Sequence, residues 1–167
     1  MSPMPSGTPL VINTGPLPAL FAATGNLAPL ARLGRPVIVP FEVHNEILVG
    51  GADNFAVDLY RSETWLDRRE MPTVLHTLVA NAIDPGEAAV ISLAMAEGIS
   101  DVCLDDKEAR HVARLCGLRV TGSLGVLIAA KTLGERIEIR DAAANMRRRG
   151  IWISDDLLLA VLQRAGE

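Results

Sequence analysis

Short apolar runs of strand type alternate with segments of helical pattern along nearly the whole chain, and this alternation limits the fold more than any other feature. The runs are Leu10 to Asn13, "VIVP" at 37–40, "TWL" at 64–66, "DVCL" at 101–104 and "LRVTG" at 118–122. Between them lie helical patterns at 16–23, 26–33, 41–49, 52–62 and 72–82. Others follow over "DPGEAAVISLAMAEG", "DDKEARHVARLCG", "SLGVLIAAKTLG", "IRDAAANMRRRG" and "SDDLLLAVLQRAGE". Strands that alternate with helices predict an α/β fold with a parallel central sheet. The helix over "DPGEAAVISLAMAEG" is the clearest, with Asp84 as N-cap, Pro85 at the first helical position and Gly98 at the stop.

The chain has 167 residues, a length that suits one domain. With 49% apolar residues but 4% aromatic, the core must be built from Leu, Val, Ile and Ala. That suits helices on a buried sheet better than a sandwich. A net charge of −4 argues against a generic polyanion binder and leaves room for a local basic patch. Cys103 and Cys116 sit in apolar surroundings without ligand spacing and are expected to be reduced structural thiols. Residues 1–8 read as a disordered leader rather than a signal peptide, with a single domain over 9–167. No apolar run approaches the ~18 residues of a membrane span, so a cytoplasmic protein is expected.

In parallel sheets, ligands and chemistry gather at the carboxyl ends of the strands. Three runs end there in polar residues: Asn13-Thr14, Asp105-Asp106 and Thr121-Gly122-Ser123. Each acid also has a plainer role. Asp105 or Asp106 can cap the helix that follows, and Asp84 with Glu87 has the spacing of a capping box. Glu46 fits a solvated helix face, and His44 lacks partners for a metal site. Asp155 and Asp156 suit a helix start, and Arg147 to Arg149 a helix end. What lifts the acids above these roles is convergence. Carboxylates that share one crevice repel each other and persist mainly where a divalent cation neutralises them. All-oxygen donors without a Cys or His pair select Mg²⁺ or Mn²⁺ over zinc.

"VINTGPL", "VPFEVHNEI", "PGEAAVISLA", "DVCLDDKEARHVARLCGLRVTGSLGVL" and "RRRGIWISDDLL", taken in order, resemble the PIN-domain nucleases, and more closely a prokaryotic branch with toxin-like members. The resemblance spans about 10 to 165. It implies a three-layer α/β/α PIN-like fold with a central, mostly parallel sheet, and a metal-dependent ribonuclease. It puts the family's acidic positions on Asn13, Glu46, Glu87 and one of Asp105 and Asp106, with Mg²⁺ or Mn²⁺ as cofactor. Thr14 and Ser123 match positions that line the pocket. Kinship also implies an RNA substrate, a homodimer and a cognate antitoxin. Arg110, Arg114 and Arg119 are candidate RNA contacts, as are the arginines at 147–149.

Asn13 is the departure, since the family normally has Asp there. Asn keeps a carbonyl oxygen that can ligate a metal, but it loses a negative charge and cannot act as a base. Two functional classes therefore stay open. One is an endoribonuclease weakened at Asn13, for which the resemblance implies the role of toxin in a toxin–antitoxin pair. The other is a catalytically degenerate PIN-like domain that retains RNA or partner binding only. A small-molecule enzyme is disfavoured, because the chain has no glycine-rich phosphate loop.

Overall fold

The computed structural model describes residues 6–50 and 55–167. Five strands form one sheet: β1 (Leu10–Ile12), β2 (Val37–Val39), β3 (Asp67–Arg68), β4 (Asp101–Cys103) and β5 (Arg119–Thr121). Their order is β3-β2-β1-β4-β5, and every pairing is parallel. In register, Val11 lies opposite Ile38 on one side and Val102 on the other. β1, β2 and β4 are buried along their whole length. Strands covered on both faces need apolar side chains at successive positions, which is why β1 and β2 read as unbroken runs, while β4 opens on Asp101, whose charge is paired with Arg35 and Arg119.

The helices among the described residues are α1 (Pro16–Thr24), α2 (Ala28–Arg32), α3 (Phe41–Val49), α4 (Phe55–Ser62) and α5 (Pro85–Glu97). They continue with α6 (Lys107–Leu115), α7 (Ser123–Thr132), α8 (Ile139–Arg148) and α9 (Asp155–Ala165). α5 packs on β1 and β4 and against α3 and α6. A second group joins α1 to α4, α7 and α8, with α9 against α7 and α8. Helices around a central parallel sheet give the three-layer α/β/α architecture of a PIN-like fold.

Four local expectations need comment. The leader expected over 1–8 falls partly outside the described residues. Within them, Gly7 N donates to Gly34 O at 3.2 Å and Arg35 Nε donates to Thr8 O at 2.6 Å. The helix expected over 52–62 is described only from Phe55. The strand expected at "TWL" sits just beyond it, at Asp67–Arg68, where Ile38 and Val39 supply the pairing edge. The helix expected over 72–82 is irregular chain as far as His76 and turn from Thr77 to Ala82. Its donors go elsewhere: Thr73 N reaches Glu42 Oε1 at 2.7 Å and His76 N reaches Ser92 Oγ at 2.8 Å. Of its apolar residues Val79 is buried and Leu75 packs against the core, whereas Val74 and Leu78 face outward.

The cysteines are free, with Cys103 buried in the core. Burial, with Asp105 nearby, pushes the Cys103 thiol pKa well up. No helix among the described residues is long and apolar enough to cross a membrane.

Candidate functional site

Two strand ends, those of β1 and β4, and two helices build one crevice at the carboxyl edge of the sheet; Ser123, at the β5 exit, stands beside it and does not line it. β1 hands over to α1 through Asn13 and Thr14. Asn13 N donates to Cys103 O at 3.1 Å, which continues the ladder one residue past the strand. Pro16 then opens α1, where a missing N–H costs nothing. β4 hands over to α6 through Asp105 and Asp106, and β5 to α7 through Gly122. α3 brings in Glu46, and the start of α5 brings in Asp84 and Glu87.

Asn13, Thr14, Glu46, Glu87, Asp105 and Asp106 all border this crevice of about 360 Å³. A continuation of it is lined by Asn81, Asp84, Glu87, Asp106 and Glu108. Thr14 Oγ1 donates to Glu46 Oε2 at 2.5 Å, so the first strand end holds the α3 carboxylate in place. Gly86 supplies the space. A Cβ there would overlap Glu46 Oε1 and lie 2.8 Å from Oε2. The "PGEAA" glycine is thus a cradle for a carboxylate.

The plainer roles are present as well. Asp84 and Glu87 form the capping box, with Asp84 N donating to Glu87 Oε2 at 3.3 Å. Asp106 caps α6 by accepting Ala109 N–H at 2.9 Å. Asp105 accepts Ser123 N–H at 2.7 Å. Capping and crowding coexist: burial raises the pKa of Glu87, the Asp106 charge adds to it, and the Asp84 amide works against both. The charges of Asp84 and Glu46 push it further in the same direction.

Asn13 is buried, 8% exposed, and its Oδ1 has no hydrogen-bond partner. A buried carbonyl oxygen left unpaired costs roughly 1–3 kcal/mol. Here it borders a crevice of carboxylates, where a cation would relieve it. The donor set is all oxygen, which fits a hard divalent ion. Among the described residues no three Asp, Glu, His or Cys side chains converge on one point. Mg²⁺ keeps several waters and needs only one or two carboxylates, so the spread donors fit an ion held partly through water.

The other candidates do not line the crevice. Arg110 stands beside Asp105, its Nη1 donating to Leu104 O at 2.8 Å. Arg114 is in the last turn of α6, away from the helix start that borders the crevice. Arg119 begins β5, at the opposite edge of the sheet, and donates to Asp101 Oδ1 at 2.8 Å. His44 belongs to a packed cluster, with Nδ1 2.8 Å from the Tyr60 hydroxyl and Arg68 stacked on the Tyr60 ring. Burial and then the Arg68 charge lower its pKa. Among the arginines at the end of α8, Arg147 pairs with Asp155 at 2.8 Å and Arg149 lies over the Phe55 ring. Asp84 and Glu108 were not singled out as site residues from the sequence. The available signal was that each is an acid at or near the start of a helix leaving the same sheet edge.

Fold and crevice define a parallel α/β/α domain with a carboxylate-rich site at the carboxyl ends of its strands. A PIN-domain family model matches residues 9–167, and the chain belongs to that family. PIN domains are typically nucleases that use divalent metal ions. No curated protein and no solved structure matches the chain.

Proposed function

We propose that the protein is a Mg²⁺- or Mn²⁺-dependent endoribonuclease whose site is weakened by Asn13. The observation that carries this reading is the buried, unpartnered Oδ1 of Asn13, a residue that borders one crevice with Glu46, Glu87 and the Asp105–Asp106 pair. In this reading Glu46, Glu87 and one of the two aspartates surround the cation and hold it partly through its waters, with Asn13 as a neutral oxygen donor. The ion would activate a water nucleophile and offset charge on the scissile phosphate. Thr14 fixes the Glu46 carboxylate through its hydroxyl. Burial, followed by the Asp106 charge, raises the pKa of Glu87. Arg110 is the arginine best placed to meet an RNA backbone near the crevice. The resemblance to toxin-like members of the family extends the proposal to a homodimer and a cognate antitoxin.

A second reading, a degenerate domain that binds RNA or a partner without cutting, is favoured by a different observation. Asp105 and Asp106 each accept a backbone N–H, and Glu46 and Glu87 each accept a hydrogen bond as well. Incubating the protein with single-stranded and structured RNA in Mg²⁺, Mn²⁺ or EDTA decides between them. The nuclease reading expects cleavage that needs metal and falls at least about a hundredfold in Glu87→Gln, a loss of roughly 2.7 kcal/mol in transition-state stabilisation. Absence of cleavage in the parent with gain in Asn13→Asp would establish the degenerate reading.

A further inference from the structure

We infer that the two adjacent aspartates divide the work: Asp105 is a positioning residue that fastens the β4–α6 turn to the start of α7, and Asp106 is the carboxylate that turn presents to the metal. The second half rests on the metal-site reading above.

The turn is held from several sides. Leu104 N donates to Thr121 O at 2.9 Å, and Leu104 O accepts Arg110 Nη1 at 2.8 Å. Asp106 Oδ1 accepts Ala109 N–H at 2.9 Å. Asp105 reaches the other way, across to the neighbouring strand's exit, and its Oδ1 accepts Ser123 N–H at 2.7 Å. Ser123 is the first residue of α7, where a backbone donor has no partner inside the helix. Asp105 fills that vacancy from another element.

Gly122 makes the approach possible. A Cβ there would lie 2.7 Å from Asp105 Oδ1, 2.7 Å from Arg110 Nη1 and 3.3 Å from Leu104 O. Its φ of −127° is open to any residue, so the glycine is required for room, not for backbone conformation. β4, α6, β5 and α7 therefore meet at one joint, and Asp105 is the side chain that ties it.

Asp106 points the other way. It borders both parts of the crevice, together with Asp84 and Glu87, whereas Asp105 borders one. Each aspartate spends one oxygen on a backbone N–H, so what separates them is the second part of the crevice, which Asp106 borders and Asp105 does not.

The test uses the full chain, with Mn²⁺ alone as the probe, and reads two quantities: amide hydrogen exchange at Ser123 without metal, and Mn²⁺ affinity by calorimetry. Asp105→Asn keeps an oxygen acceptor, so Ser123 protection and Kd are expected to stay within about threefold of the parent. Asp105→Ala removes it, and Ser123 is expected to exchange at least about tenfold faster. Asp106→Asn is expected to leave Ser123 protected and to weaken Mn²⁺ binding at least about tenfold. If Asp105→Asn weakens Mn²⁺ as much as Asp106→Asn does, the division of roles is wrong. Ser123 exchange in Asp105→Ala equal to the parent's would remove the tether. A parent that binds no Mn²⁺ overturns the metal reading and Asp106's part in it, while exchange at Ser123 still decides Asp105.

Discussion

Gly86 and Glu87 are neighbours that respond to substitution in opposite ways. The Glu46 carboxylate lies where a Gly86 Cβ would stand. Alanine is the better helix former by about 0.5–1 kcal/mol, and Glu46 is a flexible side chain that can swing away. Gly86→Ala is therefore expected to keep stability within about 1 kcal/mol of the parent while Mn²⁺ affinity drops at least tenfold. Thermal melts and a Mn²⁺ titration on one preparation separate the two effects. Glu87 shows the cost of crowding. Burial, followed by Asp106, raises its pKa above the ordinary 4.5. The folded state thus binds this proton more tightly than the unfolded chain does. The resulting stability is present in full below pH 4.5 and is lost as pH rises through the folded value. Glu87→Gln removes the charge and keeps an oxygen for the Asp84 N–H. The metal-free variant is expected to melt above the parent at pH 7, with the gap closing near pH 4. An equal gap at both values would contradict this account of the shift.

Helix ends explain how the elements were legible and where legibility failed. Asp84-Pro85, Asp106 and Ser154 each mark a helix start, and the structure caps α5, α6 and α9 there. α8 differs, because its donors are met by a residue far along the chain. Glu167 accepts Ile139 N–H at 2.5 Å and Arg140 N–H at 2.9 Å, and pairs with Lys131 Nζ at 2.6 Å. Nothing local to α8 announces this, so the sequence does not reveal it. Desolvation opposes ionisation of Glu167, but Lys131 and the two amides outweigh it and hold its pKa at about 2. A depressed carboxylate contributes stability above 4.5 that is lost as pH falls toward about 2. Glu167→Gln is expected to cost on the order of 1 kcal/mol at pH 7. Urea titrations should show parent and variant converging between pH 4.5 and 2. The segment at 72–82 failed for the same reason in reverse: an apparent helical period had its donors claimed by Glu42 on α3 and Ser92 on α5.

At the scale of the molecule, the alternating pattern was enough for the fold, because strands buried on both faces have to be apolar throughout and their exits have to be polar. Asn13, Glu87, Asp105 and Asp106 were legible as exit or helix-start residues and Glu46 through the family resemblance alone, and one crevice borders them all. What the sequence could not supply was direction across space. It offered Arg119 as an RNA contact, yet parallel pairing with β4 puts that residue at the far edge, bound to Asp101. It marked Asp84 only as a cap, although the residue also borders the crevice. The central claim is that Asn13 is a neutral corner of a divalent-cation site. Restoring a charge there should strengthen that site, since ~1.4 kcal/mol is a tenfold change in affinity. The direct measurement is a Mn²⁺ titration of the parent and Asn13→Asp. We expect binding in both, at least about tenfold tighter in Asn13→Asp. Equal affinities would contradict the claim.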